Sequence, residues 1–177
     1  MSITYDDLIA FHGHSCPGLA IGYRMTAEAL SFFPENRAED EEIVAIVENN
    51  ACGVDALQML SGCTFGKGNL IFKDYGKHVF TLYDRKSRQG VRVAFDFKNI
   101  TEDMRKNREQ FIDWLLHAPG KDILNARKVQ MAAPEPARIF KSVPCAFCNE
   151  EVMETRTRQV GGKLSCIPCT EDRKSEI

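Results

Sequence analysis

The chain has 177 residues, 44% hydrophobic and 27% charged, the balance of a globular protein with one domain of ordinary size and an appendage. A net charge of −2 supplies no general attraction to nucleic acid or to a membrane surface. The N-terminal residues carry neither a basic cluster nor an apolar run, and no apolar stretch reaches membrane-spanning length, so the chain reads as cytoplasmic. In that compartment its seven cysteines are better read as ligands or reactive thiols than as disulfides.

Residues 4–11 predict a short helix, because Thr4 with Asp7 three positions on has the pattern of a capping box. The segment Phe11-His12-Gly13-His14-Ser15-Cys16-Pro17-Gly18 follows, with two imidazoles and a thiol close together. Pro17 suits the first position of a helix, where its missing N–H would have no intrahelical partner. Cys16 then sits at the N-cap, where free N–H groups and the helix dipole favour a thiolate. The helix continues over 19–30. Leu19, Tyr23, Thr26, Ala27 and Leu30 form one face; Gly18, Gly22, Met25 and Ala29 form a second face of small residues. Such a helix is buried around most of its circumference, and its glycines admit another backbone. A homodimer that buries this face or the later linker is one expectation.

Phe32-Phe33-Pro34-Glu35-Asn36 predicts a break, and 42–48 a β-branched strand covered on both sides. That strand leads through Asn49-Asn50-Ala51-Cys52-Gly53 to a helix over 54–60, closed by Gly62. Cys52 therefore stands near a helix start and Cys63 just past its end. The Gly-rich loop 64–69 lacks the Gly-Lys-Ser/Thr order of a P-loop, although Lys67 remains a candidate contact for a substrate anion. Strands at 70–73, 78–83 and 90–97 read as a meander, joined by turns at 74–77 and at the basic, solvated 85–89. With the first strand they predict an antiparallel or mixed sheet of about four strands. Thr101 caps a helix to His117, with Met104, Phe111, Ile112, Leu115 and Leu116 on the sheet. Ala118-Pro119-Gly120 ends it, and 122–129 reads as another short helix. Pro134 and Pro136 mark a connector, which divides a core domain over 1–133 from a second domain over 134–177.

The second domain carries Cys145-Ala146-Phe147-Cys148 and Cys166-Ile167-Pro168-Cys169. Two such pairs predict a structural zinc, because four thiolates close a tetrahedral shell and leave no catalytic position. The segment has few apolar residues, so metal binding would supply its folding free energy. Residues 151–156 and 157–160 read as the arms of a hairpin, and 170–174 as a helix. Knuckle, hairpin and ligand-bearing helix is the order of a treble-clef zinc finger. Its basic residues Arg156, Arg158, Lys163, Arg173 and Lys174 are offset by Glu150, Glu151, Glu154, Glu171 and Asp172, which argues against a phosphate-binding stripe.

In the core, Cys16 and Cys52 both lie at junctions that open helices. His14 is two residues from Cys16 and shares its side of an extended segment; His12 has the same parity. His78 and His117 have no partner pattern. The run 11–24, together with Glu48, Asn49, Cys52, Asp55, Ala56, Gln58, Gly62-Cys63-Thr64, Gly66-Lys67-Gly68-Asn69 and the C-terminal cysteine pairs, resembles the FmdE family, which takes its name from formylmethanofuran dehydrogenase. The resemblance implies an α+β core, a C-terminal treble clef and a dimer. It carries a site over to His14, Cys16 and Cys52, and further to Cys63 and Lys67. The family is associated with a molybdenum enzyme of one-carbon metabolism, but this chain shows no Rossmann fingerprint and no pterin signature of its own.

Three functions remain open. The first is an accessory or metabolic protein whose His14, Cys16 and Cys52 hold a second zinc or another transition metal, with a fourth position for water or a small-molecule ligand. The second is a thiol enzyme in which Cys16 attacks with His14 as base and Lys67 contacts substrate. The third is a regulatory protein that binds through its zinc finger.

Overall fold

The computed structural model describes residues 3–33 and 37–174. The break expected at Pro34, Glu35 and Asn36 lies outside them, as do Met1, Ser2 and the side chains of Arg173 and Lys174. The chain divides into two compact units, 1–137 and 138–177. Among the described residues no helix is long and apolar enough to cross a membrane.

The first unit is α+β. Its helices are α1 (Tyr5–His12), α2 (Pro17–Leu30), α3 (Gly53–Ser61), α4 (Glu102–Lys106), α5 (Arg108–His117) and α6 (Gly120–Ile123). Its strands are β1 (Ile43–Val47), β2 (Leu70–Phe72), β3 (Val79–Asp84), β4 (Gln89–Phe95) and β5 (Leu124–Val129). They form one mixed sheet in the order β2-β1-β3-β4-β5, in which only the β1–β2 pair is parallel. β1 is buried at every position, as its unbroken Ile-Val-Ala-Ile-Val run requires. α2 packs on this sheet and on α3 and α5. Met25, Ala29, Val47, Phe80, Val93 and Leu115 belong to the resulting core. A smaller cluster of Leu8, Cys16, Leu19 and Ala56 joins α1, α2 and α3.

Four expectations for the first unit are corrected. Strand β2 is not the first arm of a hairpin. A helix separates it from β1, and such a crossover returns the chain parallel to the strand it left. The 73–78 segment then crosses the end of β1, with Tyr75 and Lys77 N–H donating to the Glu48 carbonyl at 3.2 and 3.0 Å. The sheet has five strands, because 124–129 is a strand and not a helix. It pairs antiparallel with β4 from Gly90↔Val129 to Phe95↔Leu124, so sheet pairing overrides the helix preference of its Arg127 and Lys128. Those charges also suit an edge strand. The helix expected from Thr101 to His117 is broken at Asn107, whose Oδ1 instead accepts the Gln110 N–H at 3.2 Å and starts α5. Finally, the small-residue face of α2 is occupied within the chain. A Cβ on Gly22 would overlap the Gly53 backbone, whose carbonyl carbon would be 2.6 Å away. Gly18 and Gly22 thus bring α3 against α2, and a second copy would have to use another surface.

The connector residues run along the first unit. Arg85 Nη1 donates to the Pro134 carbonyl at 2.7 Å, and the Ala137 N–H donates to Glu41 at 2.9 Å.

The second unit contains β6 (Ser142–Pro144), β7 (Glu151–Met153), a 3-10 turn (Glu154–Arg156), β8 (Thr157–Val160), β9 (Lys163–Cys166) and α7 (Ile167–Lys174). The arms expected to pair with each other do not. β7 pairs with β6 and β8 with β9, so each cysteine pair has its own small hairpin. The turn at 154–156 separates β7 from β8, and Gly161-Gly162, both at positive φ, supply the tight β8–β9 turn.

Candidate functional site

Two groups of metal-ligating side chains converge among the described residues. One is Cys145, Cys148, Cys166 and Cys169; the other is His12, His14 and Cys16. Within each group one ligand atom per residue lies within 4.8 Å of all the others.

The four-cysteine group is built by local hydrogen bonding. The Cys145 carbonyl accepts the Asn149 N–H at 2.9 Å, and Asn149 takes the left-handed φ of 61° that curls the chain around the first pair. The Cys166 N–H donates to the Cys145 sulfur at 3.3 Å, which ties the second pair to the first. The Cys148 and Cys166 sulfurs are 3.9 Å apart. Tetrahedral bonds of about 2.3 Å would give an edge of about 3.8 Å, so the spacing fits one ion. Backbone N–H groups of Cys148 and Cys166 pull the Cys145 thiol down to about 6. The Cys166 thiol beside Cys169 pushes that residue up to about 12. Of the four sulfurs, that of Cys145 is thus the one most favoured as thiolate, the form that ligates a cation. The four cysteines are positioned to bind a metal.

In the core, α1 ends at His12, and Gly13 at φ 95° turns the chain sharply into the start of α2. The two imidazoles meet through this left-handed turn rather than through alternation along an extended segment. Their ring centroids are 4.6 Å apart. Cys16 is the N-cap of α2, and its sulfur accepts the Leu19 N–H at 3.3 Å. It is also 3.8 Å from His12 Nε2. The other ring nitrogen of His12 is 2.7 Å from Asp55 Oδ2, in the first turn of α3. Asp55 thus holds Nδ1 as the protonated nitrogen and leaves Nε2 facing the sulfur. Cys16 and the His12 side chain are only 5% and 11% exposed, whereas His14 is exposed.

Cys52 arrives from the other side. It precedes α3 and lies outside the group of three side chains within one ion's reach. Burial first, and then the neighbouring Cys16 thiol, push its own thiol up. A Cβ on Gly18 would be 3.7 Å from the Cys52 sulfur and 3.9 Å from the Cys16 sulfur, so both thiols rest against this glycine. The two helices can bring them together because Gly22 and Gly53 allow the close approach described above.

Two other predicted positions lie elsewhere. Lys67 Nζ donates to the carbonyls of Ala38, Glu39 and Asp40 at 3.4, 3.1 and 3.2 Å. Three acceptors match the three donors of an ammonium, so Lys67 ties the Gly-rich loop to the chain before β1. Cys63 is fully buried in the main core, donates to the Ile43 carbonyl at 3.2 Å, and has its thiol pushed up by burial. Asp55 is legible chiefly as part of the family pattern. The spacing Cys52-x-x-Asp55 at a helix start was its one independent signal, since it stacks the carboxylate above the thiol.

The family described as "FmdE, Molybdenum formylmethanofuran dehydrogenase operon" matches residues 11–133. A "Probable S-adenosyl-L-methionine-binding protein" of Archaeoglobus fulgidus is 31% identical over 176 residues, covering 84% of this chain and 48% of that protein. The chain therefore spans about half the length of that curated relative. The crystal structure of a tungsten formylmethanofuran dehydrogenase FmdE-like protein from Syntrophus aciditrophicus is similar with a TM-score of 0.75 and 30% identity, over 97% of this chain and 94% of that one. The family match spans the five-stranded sheet and His12, His14, Cys16, Cys52 and Asp55 together, and by it the chain belongs to the FmdE family.

Proposed function

We propose that this FmdE-family protein carries two transition-metal ions per chain and serves as an accessory to the one-carbon chemistry of a molybdenum or tungsten enzyme. The four C-terminal cysteines would close around a structural zinc. Cys16, Cys52, His12 and His14 would hold a second zinc or a similar ion. The observation that carries the second assignment is the convergence of His12, His14 and Cys16 within one ion's reach, with Asp55 on the far nitrogen of His12. A carboxylate behind a ligating imidazole is the usual support for a metal ligand, because it fixes the tautomer and raises ring basicity. An ion there would supply a Lewis-acid position for a small-molecule ligand. The chain's own residues prepare the place: the Leu19 N–H donates to the Cys16 sulfur, and burial of Cys16 keeps water away.

The family and neighbour names support the one-carbon setting. The name of the Archaeoglobus relative adds S-adenosylmethionine as a ligand to test by equilibrium dialysis. A homodimer is the proposed assembly, through a surface other than the Gly18–Gly22 face, and sedimentation velocity would test it.

A second reading is favoured by one observation. The line Asp55–His12–Cys16, at 2.7 and 3.8 Å, also orients an imidazole to take a proton from a nucleophilic thiol. Elemental analysis decides between them. Two ions per chain, falling to one in Cys16→Ser, support the metal centre. One ion per chain in both proteins, with Cys16 rapidly alkylated, would favour the thiol enzyme.

A further inference from the structure

A cavity of about 450 Å³ lies where α2 meets α5 and the ends of β3 and β4. Its lining includes Gly18, His78, Phe97, Arg105, Arg108 and Phe111. Gly18 is the residue against which the Cys16 and Cys52 sulfurs rest, so the cavity and the core centre share a wall. The volume is in the range of small-molecule sites.

Two kinds of group line it. Phe97 packs edge-on against Phe95 and His78, with centroids 4.8 and 5.3 Å apart. Of these rings His78 and Phe97, with Phe111, face the cavity and give aromatic surface on which a planar body can lie. Burial lowers the readiness of His78 to protonate, so it adds a ring rather than a charge. The charge comes from the arginines. Arg108 Nη2 donates to the Ser15 carbonyl at 3.0 Å, which fixes the guanidinium beside the loop that carries Cys16. Arg105 has no ion-pair partner among the described residues. A guanidinium offers a planar fork of donors that matches carboxylate or phosphate oxygens. An apolar cavity with two such forks at its edge discriminates against neutral and cationic ligands.

We propose that this cavity binds a small ligand consisting of a planar ring system that carries an oxyanion, with the ring on Phe97 and Phe111 and the anion on Arg105 and Arg108. This deepens the proposed function: it rests on that reading for the claim that the ligand is presented to the core centre.

Isothermal titration calorimetry on the full chain tests the inference, with 2-naphthoate and 2-naphthyl phosphate as probes. Neutral 2-naphthalenemethanol and ring-free acetate are the controls, and metal content is measured on each sample. Both naphthyl anions should bind at least tenfold more tightly than either control, and the tighter of the two identifies carboxylate or phosphate as the recognised oxyanion. Arg105→Gln, at an exposed helix position, should weaken binding about tenfold. Arg108→Gln should weaken it at least as much, and Lys106→Gln, whose charge faces Asp103 instead, should change it less than twofold. No saturable binding, equal binding of the neutral alcohol, or an Arg105→Gln protein that binds as the parent does would overturn the inference. Anion binding in protein with only one ion per chain would overturn the core-metal reading alone. Two ions per chain without anion binding would overturn the cavity assignment alone.

Discussion

Gly22→Ala is the substitution that most sharply couples the fold to the core site. The new methyl would stand within 3 Å of the Gly53 backbone, where no side-chain rotation can relieve it. The helices α2 and α3 must therefore separate. Overpacking of this kind costs about 3 kcal/mol when backbone has to move. Alanine's better helix propensity returns about 1 kcal/mol. The net loss is about 2 kcal/mol, or about 8 °C in Tm for a unit of this size. Because Cys52 precedes the displaced helix, its sulfur should also move away from Cys16, and the proposed core metal should be lost. Differential scanning calorimetry and elemental analysis on the same preparation read both effects, with the C-terminal ion retained. Gly66→Ala is the control, since a Cβ there meets nothing within 4 Å. A Gly22→Ala protein with the parent's Tm and metal content would show that the site does not depend on this close approach of α2 and α3.

Arg24 bonds the carbonyls of Leu115, Leu116 and Ala118 at 2.6, 2.7 and 2.6 Å, and so caps the C-terminal end of α5. Arg24→Met should destabilise the first unit by about 2–4 kcal/mol in urea, read on the fluorescence of Trp114 in α5, and Arg24→Lys should recover part of it; a loss under about 0.5 kcal/mol would exclude a capping role. In a Cys16→Ser/Cys52→Ser chain, zinc uptake by the C-terminal cysteines should release fewer protons at pH 7.5 than at pH 5. Cys145, held down to about 6, is already ionised at the higher pH and must lose a proton at the lower one. Calorimetry in buffers of different ionisation enthalpy counts those protons, and equal release at both values would contradict the assignment to Cys145.

Features whose cause is local were legible in the sequence. The Thr4–Asp7 capping box, Cys16 and Pro17 at the start of α2, the buried run of β1 and the paired cysteines all act over a few residues. What escaped depends on partners far along the chain. Residues 124–129 are a strand because β4 offers an unpaired edge, which no local propensity reports. β2 lies parallel to β1 because the intervening helix decides its direction. The glycines of α2 announced a close approach, but only the fold shows that Gly53 of the same chain makes it. His12 is tied to the site more closely than the exposed His14, because Asp55, forty-three positions away, reaches its ring. Parity alone places both histidines on one side of an extended segment, whereas Gly13 turns the chain between them.

We propose above that the core of the first unit holds an ion of its own. Anomalous diffraction from crystals of the full chain, recorded on both sides of the zinc edge and of the edges of other metals found by elemental analysis, measures this most directly. Two peaks per chain are expected, one amid the Cys145, Cys148, Cys166 and Cys169 sulfurs and one bounded by Cys16, Cys52 and the imidazoles of His12 and His14. A single peak at the four cysteines, with the Cys16 sulfur bonded only to its protein neighbours, would contradict the proposal.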